Sequence, residues 1–178
     1  GNDGVIGFTN QLDKLEGTLG KIGSMKDLMQ RGKLDMDGIF ELCELYFQMR
    51  NSGEINNIGA GIVANTNLPA DKYFRVAGYL VRLGNYDLME KALDLCVGKL
   101  PENVPAAVYR DLFAMYGTGG KLEKASVHLQ KYLKLTPQDW QAWLDMAFLQ
   151  LVAGKTNDAV KAADQALLVG GGDAMNAV

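Results

Sequence analysis

Apolar side chains recur along this chain at three- and four-residue steps, and no stretch alternates long enough to make a strand. The pattern predicts helices throughout. The first runs from about Thr9 to Arg31, with Leu12, Leu15, Leu19, Ile22 and Met29 as its stripe. Thr9 or Asn10 is its candidate cap, and the glycine-rich residues 1–8 are expected to fray. Gly17, Gly20 and Gly23 interrupt the helix, each at a cost of about 1 kcal/mol against alanine. Their spacing sets them on one side, a face suited to close backbone approach; a partly broken linker is the other reading. Asp37 is the expected cap of a second helix over 38–51, with Ile39, Leu42, Leu45, Tyr46 and Met49 as its buried stripe. A turn at Asn51-Ser52-Gly53 leads into a weaker helix over 55–64, broken by Asn65-Thr66-Asn67. Helices are then predicted over 70–83, 86–98, 106–116, 122–135, 138–153 and 156–169. In Thr136-Pro137-Gln138-Asp139 the threonine is read as N-cap, the proline as N1 and the aspartate as N3. Gly170-Gly171-Gly172 follows a helix, so it reads as a helix stop and not as a phosphate cradle.

These helices repeat at a fixed interval. Gly84, Gly120 and Gly154 are each followed seventeen residues later by Pro101, Pro137 and Gly171. The last two copies are 34 residues apart; the first precedes them by 36, a stretch assigned to Val104 and Pro105. Gly53 and Pro69, sixteen apart, suggest a degenerate earlier copy. Each of the three glycines ends the first helix of a pair, where a left-handed residue is cheap only for glycine. A period of this length marks a helical repeat protein, because one pair cannot bury its apolar face alone.

Composition narrows the class further. The 178 residues carry a net charge of −3 and no run of five Lys/Arg, which argues against a nucleic-acid or anionic-membrane surface. No apolar run is long enough to span a bilayer. The chain begins with Gly1 and not Met, which suggests a segment upstream, so composition fixes no compartment. Cys43 and Cys96 lie in apolar helical stretches without a second cysteine at metal-ligand spacing, and read as two buried free thiols. His128, the single histidine, has no nucleophile or acid motif beside it. No phosphate-binding, metalloprotease, nucleophile-elbow or dinucleotide motif occurs. Carboxylates such as Glu102, Asp111, Asp139 and Asp145 are scattered at helix ends and on exposed faces. The reading is a non-enzyme without cofactor or metal.

The repeat resembles the tetratricopeptide family. In 140–173, Trp143, Gly154, Ala159, Ala163 and Ala166 occupy matching positions, with Met146 for the usual leucine and Gly171 for the proline. In 106–139, Leu112, Tyr116, Gly120, Ala125, Leu129 and Pro137 match, with Tyr109 for the tryptophan. The copy at 70–103 is looser: Tyr73, Gly84, Tyr86 and Pro101 match, and Met89 stands where a small residue is usual. Residues 39–69 match weakly. The resemblance implies an all-α fold, a right-handed α-α superhelix of about four helix pairs spanning 37–173. The amphipathic segment 1–36 leads it, and 174–178 form a tail.

The resemblance also implies where a partner would lie, along one face of each first helix. In these three copies that face holds Asp71, Phe74, Gly78, Val81 and Arg82, then Ala107, Arg110, Ala114, Gly117 and Thr118, then Gln141, Leu144, Phe148, Leu151 and Val152. The Lys/Asn/Arg set with which family members clamp a terminal carboxylate is not present, since only Arg82 and Arg110 supply positive charge. The candidate contacts are Phe74, Val81, Arg82, Arg110, Gln141, Leu144, Phe148 and Leu151, with the arginines orienting polar groups and the apolar members supplying area. The role this supports is a protein- or peptide-binding scaffold. Two alternatives stand beside it. One is an accessory domain of a larger membrane-bound or secreted enzyme. The other is a structural module that self-associates through its last repeat, which lacks a polar capping helix after Val169.

Overall fold

A computed structural model describes residues 2–175, and the described residues are helical with no strand. In chain order the helices are α1 (Asn2–Gln30), α2 (Met36–Gln48), α3 (Ser52–Ala64), α4 (Ala70–Arg82), α5 (Tyr86–Val97), α6 (Ala106–Thr118), α7 (Leu122–Leu135), α8 (Trp140–Val152) and α9 (Thr156–Met175). They fall into two compact units, 1–96 and 97–178. The boundary lies beside the longest connection in the chain, residues 98–105, which contains the Val104-Pro105 pair.

Four helix pairs turn in the same way. Gly84, Gly120 and Gly154 have φ of 73°, 71° and 74°. Each donates its amide three residues back (Gly84 to Val81, Gly120 to Gly117, Gly154 to Leu151), and the next residue donates five back. This double hydrogen bond satisfies the carbonyls left open at the helix end. The α2–α3 turn makes the same two bonds, from Arg50 to Phe47 and from Asn51 to Tyr46, with Arg50 at φ 54°. Arg50 lies 34 residues before Gly84. The turn of the degenerate copy therefore lies at Arg50 and not at Gly53: an arginine holds the backbone conformation that glycine holds in the other three pairs.

The inner position that is small in tetratricopeptide repeats is buried in every pair, as Ile55, Met89, Ala125 and Ala159. Beside Ile55, room is made one turn later: Gly59 faces α4 and α5 so closely that a Cβ would lie 3.1 Å from Leu80 and 3.5 Å from Leu88. Around these positions unit 1 packs Phe40, Leu42, Cys43, Tyr73, Val76 and Leu93, and unit 2 packs Leu112, Tyr116, Leu129 and Ala166. Of the stripe expected on α2, Leu42 and Tyr46 are buried, whereas Ile39, Leu45 and Met49 are half-buried and Phe40 and Cys43 fill the interior.

Several element ends differ from the sequence reading. Helix α1 begins at Asn2, so residues 2–8 are helical and Thr9 and Asn10 are interior. Among its residues of described burial, Ile22, Met25 and Met29 of the second half pack, while Phe8, Leu12, Leu15 and Leu19 are exposed. Gly17, Gly20 and Gly23 face open space, with no atom within 4 Å of an added Cβ, so they make no close backbone contact. Asp35, not Asp37, caps α2 by accepting from the Gly38 amide at 2.8 Å. Asp37 instead pairs with Arg75 and Lys72 of α4. Helix α8 starts at Trp140 with Asp139 as its cap, while the Thr136 hydroxyl donates to the Tyr132 carbonyl and closes α7. The glycine run breaks α9 at Gly171 (φ 53°), and a short helical piece continues to Met175. Of the expected tail, residues 176–178 lie outside the described residues.

Candidate partner-binding surface

In unit 1 the predicted contacts come from α4. Phe74 and Val81 are seven residues apart on one face, both half-buried, and Arg82 follows them at the helix end, exposed. The Arg82 guanidinium lies over the Phe47 ring, 3.8 Å from its centroid, and 5.9 Å from that of Tyr79. Such stacking holds a cation in place without neutralising it.

In unit 2 the predicted contacts divide between α6 and α8. Arg110 of α6 donates to Asp139 Oδ2 at 2.7 Å and to the Tyr132 hydroxyl at 3.2 Å; that hydroxyl donates to the same Oδ2 at 2.7 Å. The other oxygen, Oδ1, accepts from the Ala142 amide at 3.1 Å. Asp139 thus ties α6 and α7 to the start of α8. Burial pushes its carboxyl upward, but the Tyr132 hydroxyl, the Ala142 amide and Arg110 outweigh that and hold it below the ordinary range. The charge of Arg110 is already met within the fold.

Gln141, Leu144, Phe148 and Leu151 share one face of α8. Leu144 is half-buried and Gln141 exposed, whereas Phe148 and Leu151 are 63% and 58% exposed and Val152 extends the patch. The opposite face, Ala142, Met146 and Leu149, is buried. Trp143 donates its indole N–H to the Pro137 carbonyl at 2.9 Å, which fixes the turn leading into the helix. The last helix, α9, also leaves Val160, Leu167 and Leu168 exposed.

The described residues hold no cluster of His, Cys, Asp and Glu able to bind a metal. His128 is buried and stacks parallel to Tyr116 (centroids 5.4 Å apart) and near Tyr109 (6.3 Å). Cys43 and Cys96 are free and buried, and burial pushes their thiols up to about 12 and about 11. Such thiols are poor nucleophiles. No described helix is long and apolar enough to cross a membrane.

The described elements define an all-α, tetratricopeptide-like helical repeat. Solved structures share this fold. "Crystal structure of MamA" aligns with a TM-score of 0.56 at 19% identity, covering 88% of this chain and 91% of the other. A second MamA crystal structure gives 0.57 at 18%, covering 90% and 86%. MamA 41-end from Desulfovibrio magneticus RS-1 gives 0.54 at 16%, covering 92% and 91%. No protein-family model and no curated relative matches the sequence.

Two parts of the surface escaped the sequence reading. The exposed row on α9 carries no mark in the sequence, because the repeat motif there, Ala159, Ala163 and Ala166, belongs to the inner side. Arg50 holds the turn position 34 residues before Gly84 but is not a glycine, so the glycine spacing that marks the other turns does not reveal it.

Proposed function

We propose that this chain is a non-catalytic protein-interaction module, and that α8 carries a main contact. The supporting observation is the exposed row of Phe148, Leu151 and Val152 on a helix whose other face is fully used in the fold. Contiguous exposed apolar surface of this kind marks partner sites. The identities to MamA are low enough that they support the fold and not a partner. Phe148→Asp tests the reading. Because Phe148 packs little, the variant should keep its melting temperature within about 2 °C, as surface changes cost little. Its capture of partners from host lysate should fall at least tenfold. Undiminished capture by a folded variant would end the role of α8.

A specific observation favours a second role, self-association. Val160 and Leu168 on α9 are 54% and 75% exposed, an apolar surface that a second copy could cover. Sedimentation equilibrium should show a dimer that Leu168→Glu dissociates; a monomer at high concentration would exclude it.

A further inference from the structure

The chain has five arginines, and three are met by carboxylates: Arg31 by Asp27, Arg75 by Asp37 and Arg110 by Asp139. Among the described residues no carboxylate pairs with the other two, Arg50 and Arg82. Both line one cleft of unit 1, of about 550 Å³, where the end of α2 and the α2–α3 turn meet the end of α4. Phe47 and Leu83 supply its apolar wall, with Ile55 buried behind them, and Gln48, Asn51 and Ser52 add polar groups.

The two cations are presented differently. Arg82 lies over the Phe47 ring. That contact uses the face of the guanidinium and leaves its in-plane N–H donors for a carboxylate, the geometry in which arginine binds two oxygens at once. It also restricts the side chain before any ligand arrives, so less freedom is lost on binding. Arg50 occupies a left-handed turn position that the other three pairs give to glycine. The turn has no need of its side chain, which is exposed at the cleft. The neighbouring acid on α3, Glu54, is bound to Lys26 at 2.6 Å.

We infer that this cleft binds an acidic, partly apolar peptide segment of a partner protein, with a carboxylate held by Arg50 and Arg82 and an adjacent apolar side chain against Phe47 and Leu83. Two unpaired cations complement an acidic ligand, and the apolar wall favours a peptide over a phosphate-rich polymer, which would find no further cations here. The inference rests on the reading of the chain as a protein-binding module but concerns a different surface from α8.

The test is a fluorescence-anisotropy titration of the whole chain with a labelled peptide of alternating glutamate and leucine, beside its glutamine–leucine counterpart. The variants are Arg50→Gly and Arg82→Gln, singly and together. Glycine suits the turn and residue 82 is exposed, so the fold is kept, as circular dichroism will verify. A charge-assisted contact changes affinity by roughly tenfold or more, so each single substitution should weaken the acidic peptide about tenfold and the pair further. The glutamine peptide should bind the unaltered chain at least tenfold more weakly. Amide shifts on binding should centre on residues 47–55 and 82–83. Equal affinity for the double variant would overturn the inference, as would absence of saturable binding, shifts centred on α8, or displacement by equimolar inorganic phosphate. Apart from shifts centred on α8, these results leave the α8 reading to its own test, because Phe148→Asp should leave this titration unchanged.

Discussion

Each unit must fasten one connection between successive helix pairs, and the two units do so with different chemistry. In unit 1, residues 65–69 are closed by Tyr73, whose hydroxyl donates to the Asn65 carbonyl and accepts from the Leu68 amide at 3.2 Å. In unit 2, residues 136–139 are closed by Asp139, which gathers Tyr132, Arg110 and the Ala142 amide. Both use a tyrosine hydroxyl to satisfy polar groups at a chain reversal. The first fastening is neutral and the second ionic, so acid should loosen only the second.

Removing the ionic centre has the largest expected effect on stability. Asp139→Ala deletes a helix cap, worth about 1 kcal/mol, and leaves the Tyr132 and Arg110 donors without their acceptor, about 1 kcal/mol more. Arg110 is half exposed, so its ion pair adds little beyond this. Trp140 and Trp143, the two tryptophans, both lie on α8. Urea unfolding followed by tryptophan fluorescence should therefore report a loss of about 2 kcal/mol in unit 2. The sign with pH follows from the folded carboxyl lying below its ordinary value of 3.8. Its contribution is complete above that value and is lost as pH falls through the lower folded one. The variant and the unaltered chain should converge in that acid window; a gap that stays constant would show that Asp139 acts without its charge.

Tyr73→Phe is the matching test of unit 1. Tyr73 is fully buried, and loss of its hydroxyl takes the partner from the part-buried Leu68 amide and Asn65 carbonyl. The cost should be about 1.5 kcal/mol. Circular dichroism melts should show the same loss at neutral pH and in acid, since all the groups involved are neutral. An acid-dependent loss would erase the contrast between the two fastenings.

Much of the fold was readable because its constraints are local. Gly84, Gly120 and Gly154 announce left-handed turns, and the apolar spacing announces the helices between them. What failed was what depends on neighbours. Ile55 and Gly59 exchange the sizes that Ala125 and Leu129 have one turn apart, so the first pair fills the same space while losing the motif. On α1, the apolar stripe runs from Leu12 to Met29, but Leu12, Leu15 and Leu19 are exposed while Ile22 and Met29 meet the fold; periodicity reports a face and not whether anything covers it. The same limit applies to the candidate surface. The row on α8 followed from spacing, but the stacking of Arg82 on Phe47 and the binding of Arg110 by Asp139 needed residues 35 and 29 positions away.

The smallest expected effect concerns the four equivalent turns. An L side chain in the left-handed conformation costs about 1–2 kcal/mol, but glycine also frees the unfolded chain, which returns up to about 1 kcal/mol. Arg50→Gly should therefore raise stability only slightly, by about 0.5 kcal/mol, visible as a small rise in urea midpoint. The reverse change, Gly120→Arg, should lower it by a similar amount, because an added Cβ there meets no atom within 4 Å and the backbone conformation is the whole difference. Equal and opposite shifts would mean that the turns differ only in the residue they carry. If Arg50→Gly instead lowers stability, the arginine side chain is holding the cleft between α2 and α4 together, and its exposed position serves the fold before it serves a ligand.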